Sequence, residues 1–346
     1  MNNMTRRGVV KSLGATSLLI GAGGRAVAAD ADPYSYVDPE LAAALKKFPQ
    51  GEPPNAQNLA AMRAGDTNGP LLSAPELQPR KATVPGPVGL EEVPVVIFDP
   101  KAGQKNRPAI LYIHGGGYVT GRADTSMHLP QQIAQATGAL TVSVDYTLAP
   151  EMKFPLSLEQ NYAVLARLHE RAGQFGIDRR RIAVMGDSAG GGHAAMLAIA
   201  ARDRQEFKIA YQCLIYPMLD DRTGSTVRVP PHIGHFLWTE TANRFGWASL
   251  LGVAAGSDEA PPGAVPARID NLAGLPPTFI GVGSIDLFYA EDLEYAKRLA
   301  LAGVETELFV VPGAYHGFDV VAPDAKLTVQ FRNAWQSALR RGLQIN

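Results

Sequence analysis

Gly186-Asp187-Ser188-Ala189-Gly190, set between the apolar run Ile182-Ala183-Val184-Met185 and the small-residue stretch 191–201, is the segment on which the reading of this chain turns. It has the form G-x-S-x-G. The order around it is strand, sharp turn, helix, the setting that a nucleophile elbow requires. Such a turn holds its serine in a strained backbone conformation, and only glycine or another very small residue two positions either side lets strand and helix pack that closely. The serine hydroxyl then projects at the carboxyl end of a sheet, with a helix N-terminus beneath it. On the pattern alone, a glycine-rich turn after a strand is an equal alternative, so the rest of the chain must decide.

Upstream, the strand-like run Ile110-Leu111-Tyr112-Ile113 leads straight into His114-Gly115-Gly116-Gly117-Tyr118. Three consecutive glycines leave backbone N–H groups unshielded. Acyl transfer needs such donors, because its tetrahedral intermediate carries a negative oxygen that each preorganised N–H stabilises by roughly 3–4 kcal/mol. Gly115, Gly116 and Gly117, with the N–H of Ala189 after the serine, are the candidate oxyanion hole. A phosphate-binding loop is the alternative, but neither a G-K-[ST] ending nor a helix-opening G-x-G-x-x-G is present.

Downstream, the expected order for this arrangement is serine, acid, histidine. Asp286 follows the apolar run Thr278-Phe279-Ile280 and Val282-Gly283, at the carboxyl end of a strand. His316 stands in the loop after Leu308-Phe309-Val310-Val311. Between them, 291–302 reads as an amphipathic helix, with Leu293, Ala296, Leu299 and Ala300 apolar and Glu291, Asp292, Lys297 and Arg298 polar. Strand, helix, strand between acid and base fits a parallel sheet.

These blocks together carry a family resemblance. H-G-G-G at 114–117, D-Y-x-L-A-P-E at 145–151, G-D-S-A-G-G at 186–191, and D-L-F at 286–288 with Y-H-G-F at 315–318 resemble the hormone-sensitive-lipase-like branch of the α/β-hydrolases, typified by bacterial esterases. The resemblance spans roughly residues 95 to 320. It implies Ser188 as nucleophile, His316 as base and Asp286 as acid, and hydrolysis of small, short-acyl carboxylic esters through an acyl-enzyme, with no cofactor. Thr147 departs from the pattern, standing where the family commonly has arginine, which puts a local ion pair in doubt. The alternatives are cleavage of another acyl bond (amide, carbamate, lactone or aryl xenobiotic ester) or a non-catalytic small-molecule binder on the same scaffold.

Other candidate groups have plainer readings. Of seven histidines, His114 is expected to order the glycine loop and His193 to pack behind the elbow. His128 and His169 read as ordinary helix residues. His232 and His235 lie in a Pro/Gly-rich stretch with no metal-ligand spacing, and no metal is expected. Asp187 is read as a partner of neighbouring loops. Asp292 and Asp319, the rivals to Asp286, are expected to be solvated. Cys213, the only cysteine, sits in a strand-like run and is expected to pack as a small hydrophobe.

The 346 residues are 46% hydrophobic with a formal net charge of −1. Such a chain suits one large α/β domain or two smaller ones. No basic run points to nucleic acid, and no internal apolar stretch approaches the roughly 18 residues of a membrane span. Arg6-Arg7, an apolar region at 12–24 and Ala26-Val27-Ala28 resemble a twin-arginine signal over 1–28, implying export to the periplasm or beyond. The mature protein at 29–346 is expected as a monomer or dimer.

Strand-like runs at 95–98, 110–113, 140–144, 182–185, 213–215, 279–282 and 308–311 alternate with helical patterns such as 129–137 and 158–170. This predicts an α/β fold, a mostly parallel sheet flanked by helices, with the strand before Ile110 antiparallel in a hairpin. Two segments, 34–80 and 218–262, fall outside the alternation. In the resembling family such pieces form a helical cap over the serine. Tyr118, Phe236, Trp238 and Leu287 are the candidates for contact with substrate.

Overall fold

The computed structural model describes Met1 and residues 32–49, 51–65 and 77–345. Apart from Met1, the expected export segment at 1–28 lies outside the described residues, as do 66–76 of the first expected cap segment.

Eight strands form one sheet in the order β1-β2-β4-β3-β5-β6-β7-β8. They are β1 (Arg80–Val84), β2 (Val93–Phe98), β3 (Arg107–Ile113), β4 (Leu140–Val144), β5 (Ile177–Asp187), β6 (Tyr211–Ile215), β7 (Thr278–Gly283) and β8 (Thr306–Val311). From β4 to β8 across the sheet all neighbours are parallel. β2 is antiparallel to its neighbours, as expected, but these are β1 and β4 rather than β3, the next strand in the chain. β1 was not foreseen: its burial is that of a half-exposed edge, so its apolar content is low.

The central strands β3, β4, β6 and β7 are buried along their whole length. That is why they read as continuous apolar runs instead of alternating patterns. Their residues nonetheless part by face. Leu111, Val184, Leu214 and Ile280 join one core with Leu165, Leu197 and Leu299. Tyr112, Met185, Cys213 and Phe279 join another with Leu41, Ile133 and Trp335. Helices therefore cover both faces. The first core takes α4 (Leu156–Glu170), α6 (Ala189–Arg204) and α8 (Tyr289–Leu301); the second takes α1 (Pro39–Leu45), α3 (His128–Thr137) and α10 (Lys326–Gly342). The remaining helices are α2 (Leu59–Gly65), α5 (Ala172–Phe175), α7 (Glu240–Leu251) and α9 (Phe318–Val321). α6 is buried nearly all round, which its run of glycine and alanine permits.

The two segments outside the alternation hold α1 and α2, and α7, respectively. They meet through Tyr34 and Phe236, whose rings are 5.0 Å apart. α7 is capped at its start by Thr239, whose side chain accepts from the Ala242 N–H, and at its end by Gly252 with φ +75°.

One expectation for α8 is reversed. Glu291 and Asp292, read as its solvated face, are buried, while Ala300, read as apolar, is exposed. Glu291 faces inward because its carboxylate accepts the N–H groups of Leu219 (2.7 Å) and Asp220 (3.1 Å), the loop after β6. Burial pushes both carboxyls well above the ordinary carboxylate range.

Candidate active site

Ser188 lies between β5 and α6 with φ +55° and ψ −122°, a conformation strained for any residue with a side chain. The glycines around it have steric causes. A Cβ on Gly186 would lie 2.2 Å from the carbonyl oxygen of Gly190, and one on Gly190 would lie 2.0 Å from that of Ile113. Strand and helix cross too closely for any side chain. The serine backbone is held by its N–H to Ile215 O at 2.8 Å, and its carbonyl accepts from Gly192 (3.0 Å) and Met218 (2.9 Å).

His316 follows β8 in a loop tied to the one after β7. Gly313 N–H reaches Ser284 Oγ at 2.8 Å, and Ile285 N–H reaches Ala314 O at 3.1 Å. A Cβ on Gly283 would sit 2.1 Å from Ala314 O, so this approach also requires glycine. The result is a line of three side chains. His316 Nε2 is 2.9 Å from Ser188 Oγ, and His316 Nδ1 is 2.8 Å from Asp286 Oδ2. The other oxygen of Asp286 accepts the Phe288 N–H at 2.9 Å. All three residues are buried, Ser188 keeping 5% exposure and His316 7%. The ring of His316 is walled by Tyr216 (4.8 Å) and Phe288 (5.0 Å), with Trp238 at 6.5 Å.

The glycine loop lies against the serine. A Cβ on Gly115 would be 3.2 Å from Ser188 Cβ. Gly116 and Gly117 have φ +114° and +60°, and Gly116 O closes the turn by accepting from Val119 and Thr120 N–H. Ala189 opens α6 directly after the serine. Gly117 is closed over by Trp238, whose Cη2 would sit 1.9 Å from an added Cβ. The indole N–H is held by Asn243 Oδ1 at 3.2 Å.

Two of the four expected substrate contacts need correction. Tyr118 and Leu287 are completely buried, so neither offers surface to a ligand. Tyr118 packs between His193 and Trp247, and Leu287 against Gly234. Phe236 and Trp238 keep 9% and 8% exposure. Phe236 packs mainly on Tyr34 and Tyr315, and Trp238 alone reaches both Gly117 and the neighbourhood of His316.

Three acids differ from their sequence readings. Asp187 accepts from the hydroxyl of Tyr112 on β3, not from a loop, and burial pushes it up to about 6. Asp319 accepts from Tyr216 at 2.9 Å, and burial raises it too. Asp292 is fully enclosed, as described above. The histidines follow expectation more closely. His114 Nδ1 is 2.8 Å from Gly115 O, and its ring stacks on Tyr146 at 4.5 Å. His193 is fully buried between Tyr118 and Tyr146, and burial depresses it to about 3. Cys213 is buried, with its thiol pushed up by desolvation.

The Thr147 departure has a local replacement that sequence reading missed. Thr147 exchanges hydrogen bonds with Gln160, N–H to Oε1 at 2.8 Å and Oγ1 from Nε2 at 3.0 Å. The arginine of this region is Arg63 on α2, which binds both oxygens of Glu151 (2.8 and 3.0 Å), Ala149 O and Val119 O. With Arg63 and Glu151 88 positions apart, no spacing signal could find the pair. Tyr216 was missed as well; its only signal was its place directly after an apolar strand. Among the described residues, no three His, Cys, Asp or Glu side chains are grouped to hold a metal ion, and no helix is long and apolar enough to cross a membrane.

A strained serine after a parallel strand, facing a histidine and an acid from later strand ends, defines a hydrolase-type α/β site. Residues 110–320 match the family described by the alpha/beta hydrolase fold. The chain is 32% identical over 314 residues to carboxylesterase NlhH of Mycobacterium tuberculosis, covering 89% of this chain and 96% of that protein. Esterase LipI of the same species is 34% identical over 272 residues, 77% of this chain and 82% of its own. Among solved structures, a bacterial heroin esterase superposes with a TM-score of 0.80 at 35% identity, over 90% of this chain and 99% of that one. The chain belongs to the α/β-hydrolase fold family, in its hormone-sensitive-lipase-like branch.

Proposed function

We propose that this protein hydrolyses small, short-acyl carboxylic esters through Ser188, His316 and Asp286, with the N–H groups of 115–117 and Ala189 receiving the oxyanion. The protein is a carboxylic ester hydrolase, a serine ester hydrolase. The observation that carries the residue assignment is the continuous pair of contacts, Ser188 Oγ to His316 Nε2 and His316 Nδ1 to Asp286 Oδ2.

In this reading His316 takes the Ser188 proton as Oγ attacks the ester carbonyl. The carbonyl oxygen becomes the oxyanion. Collapse expels the alcohol, which receives the proton from His316, and leaves an acyl-serine. A water deprotonated by His316 attacks that acyl group, and the serine regains its proton as the acid departs. Asp286 holds the ring with Nδ1 protonated and stabilises the imidazolium without taking the proton.

The described parts of 34–80, together with 218–262, serve as the cap, and Trp238 closing over Gly117 supports a small acyl group. A second reading, an esterified xenobiotic as substrate, is favoured by the name of the heroin esterase. Export rests on Arg6-Arg7, the apolar 12–24 region and the Ala26-Val27-Ala28 site alone. It is tested by fractionating cells expressing the chain with both arginines replaced by lysine.

A p-nitrophenyl ester series of increasing acyl length, run beside a p-nitroanilide, tests the substrate class. Activity should fall as the acyl chain lengthens, because Trp238 closes over Gly117, and be abolished in Ser188→Ala. Ser188→Ala that still hydrolysed these esters, or a wild type unlabelled by a fluorophosphonate, would contradict the assignment.

A further inference from the structure

Tyr118 is bound into the site from behind. It follows the three glycines with φ +68°, a left-handed conformation that a residue with a bulky side chain rarely adopts. Its hydroxyl donates to the carbonyl of Met218 at 3.1 Å. The N–H of Met218 in turn donates to the carbonyl of Ser188 at 2.9 Å. Room for the hydroxyl exists because residue 192 is glycine. A Cβ there would lie 2.3 Å from the Tyr118 hydroxyl and 2.3 Å from Met218 O. The ring is wedged between His193 (5.0 Å) and Trp247 (5.1 Å), with the whole side chain out of solvent.

The candidate oxyanion donors come from two loops. The glycine loop follows β3 and Ala189 follows β5, and the last ladder pair between those strands is Ile113 with Gly186. Beyond it, strand pairing no longer sets their separation. Yet donors serve an oxyanion only when each lies about 2.7–3.1 Å from the same oxygen. The path from Tyr118 hydroxyl through Met218 to Ser188 carbonyl spans that gap.

We propose that Tyr118 is a positioning residue for oxyanion stabilisation, its hydroxyl fixing the glycine loop at the correct distance from the nucleophile turn. The proposal rests on the site assignment above. Tyr118 touches no reacting atom; it acts through Met218 and the two loops.

The test compares Tyr118→Phe with wild type on p-nitrophenyl acetate, with affinities for a boronic acid as tetrahedral-intermediate mimic and for the product acid as ground-state ligand. The expected result is kcat down about tenfold, KM within about twofold, and boronate affinity weakened by the same factor as kcat, with product-acid affinity unchanged. A merely structural role would lower Tm and leave kcat and boronate affinity at wild-type values well below Tm; that outcome overturns the proposal. If Tyr118→Phe does not fold, Tyr118→4-fluorophenylalanine carries the test, because the fluorine fills the hydroxyl's space without donating to Met218 O, and the same changes are expected. Ser188→Ala in parallel separates the two ideas. An active Ser188→Ala removes the site assignment, whereas an inactive one beside a fully active Tyr118→Phe removes only the role of Tyr118.

Discussion

Nε2 of His316 lies 2.9 Å from Oγ of Ser188, across 128 residues of chain. Its other nitrogen meets Asp286, 30 residues earlier, at 2.8 Å. The ring is thus held from both sides. Asp286→Asn keeps the shape of the acid but can present an N–H to Nδ1, which favours the wrong tautomer. A fall in kcat on the order of 10³–10⁴ is expected with KM little changed. Steady-state kinetics on p-nitrophenyl acetate measures this, and a loss of less than tenfold would count against the role of Asp286.

Close approach at the elbow predicts a steep contrast between glycines. Gly190→Ala would place a methyl 2.0 Å from Ile113 O and 2.6 Å from His114 O, both backbone atoms. A loss above about 3 kcal/mol, or failure to fold, is expected. Gly173 in α5 has nothing within 4 Å of its added Cβ. Gly173→Ala should stay within about 1 kcal/mol of wild type or be slightly more stable. Urea denaturation of both variants checks the pair.

His193 couples stability to acid. Burial holds it neutral in the folded chain, down to about 3 from an ordinary 6.5. Its folded value is depressed, so the unfolded chain binds the proton first as pH falls below 6.5. Stability is therefore complete above that pH and is lost progressively toward 3, with a slope reaching about 1.4 kcal/mol per pH unit from this one group. In His193→Leu that part of the slope should vanish. Denaturation midpoints at pH 7, 6 and 5 for both proteins measure it; parallel slopes would mean that His193 does not stay neutral.

Asp292 has the opposite sign. Among the described residues neither of its carboxylate oxygens has a hydrogen-bond partner, and burial raises it well above its ordinary value, helped by Glu291 and Asp286. The unfolded chain loses this proton near 3.8 while the folded chain keeps it. Its contribution to stability is thus present below that pH and lost as pH rises. Asp292→Asn should stabilise the protein at pH 8 by about 1 kcal/mol or more and much less at pH 4. An equal effect at both values would show that the acid is not held neutral.

The acids also mark where the sequence misleads. Asp292 and Glu291 sit in a helix whose apolar spacing at Ala296 and Leu299 is genuine, and polar neighbours of such a stripe normally face water. Here a loop from another part of the chain supplies N–H groups to Glu291. Tyr118 is expected from sequence as a substrate contact, but the space left by Gly192 draws it into the core. Neither partner is near in sequence, so no periodicity could report it.

The elbow, the glycine loop and the strand-end positions of Asp286 and His316 were legible in the chain itself. Each depends on local steric demands: glycine where backbones nearly touch, apolar runs where strands are buried on both faces. Only the tertiary structure decided which side chains surround them. It set Tyr216 and Phe288 on the His316 ring, Trp238 on Gly117, Arg63 on Glu151 and Tyr118 on Met218. These contacts join segments far apart in the chain, and their geometry follows from how the helices and loops pack on the sheet.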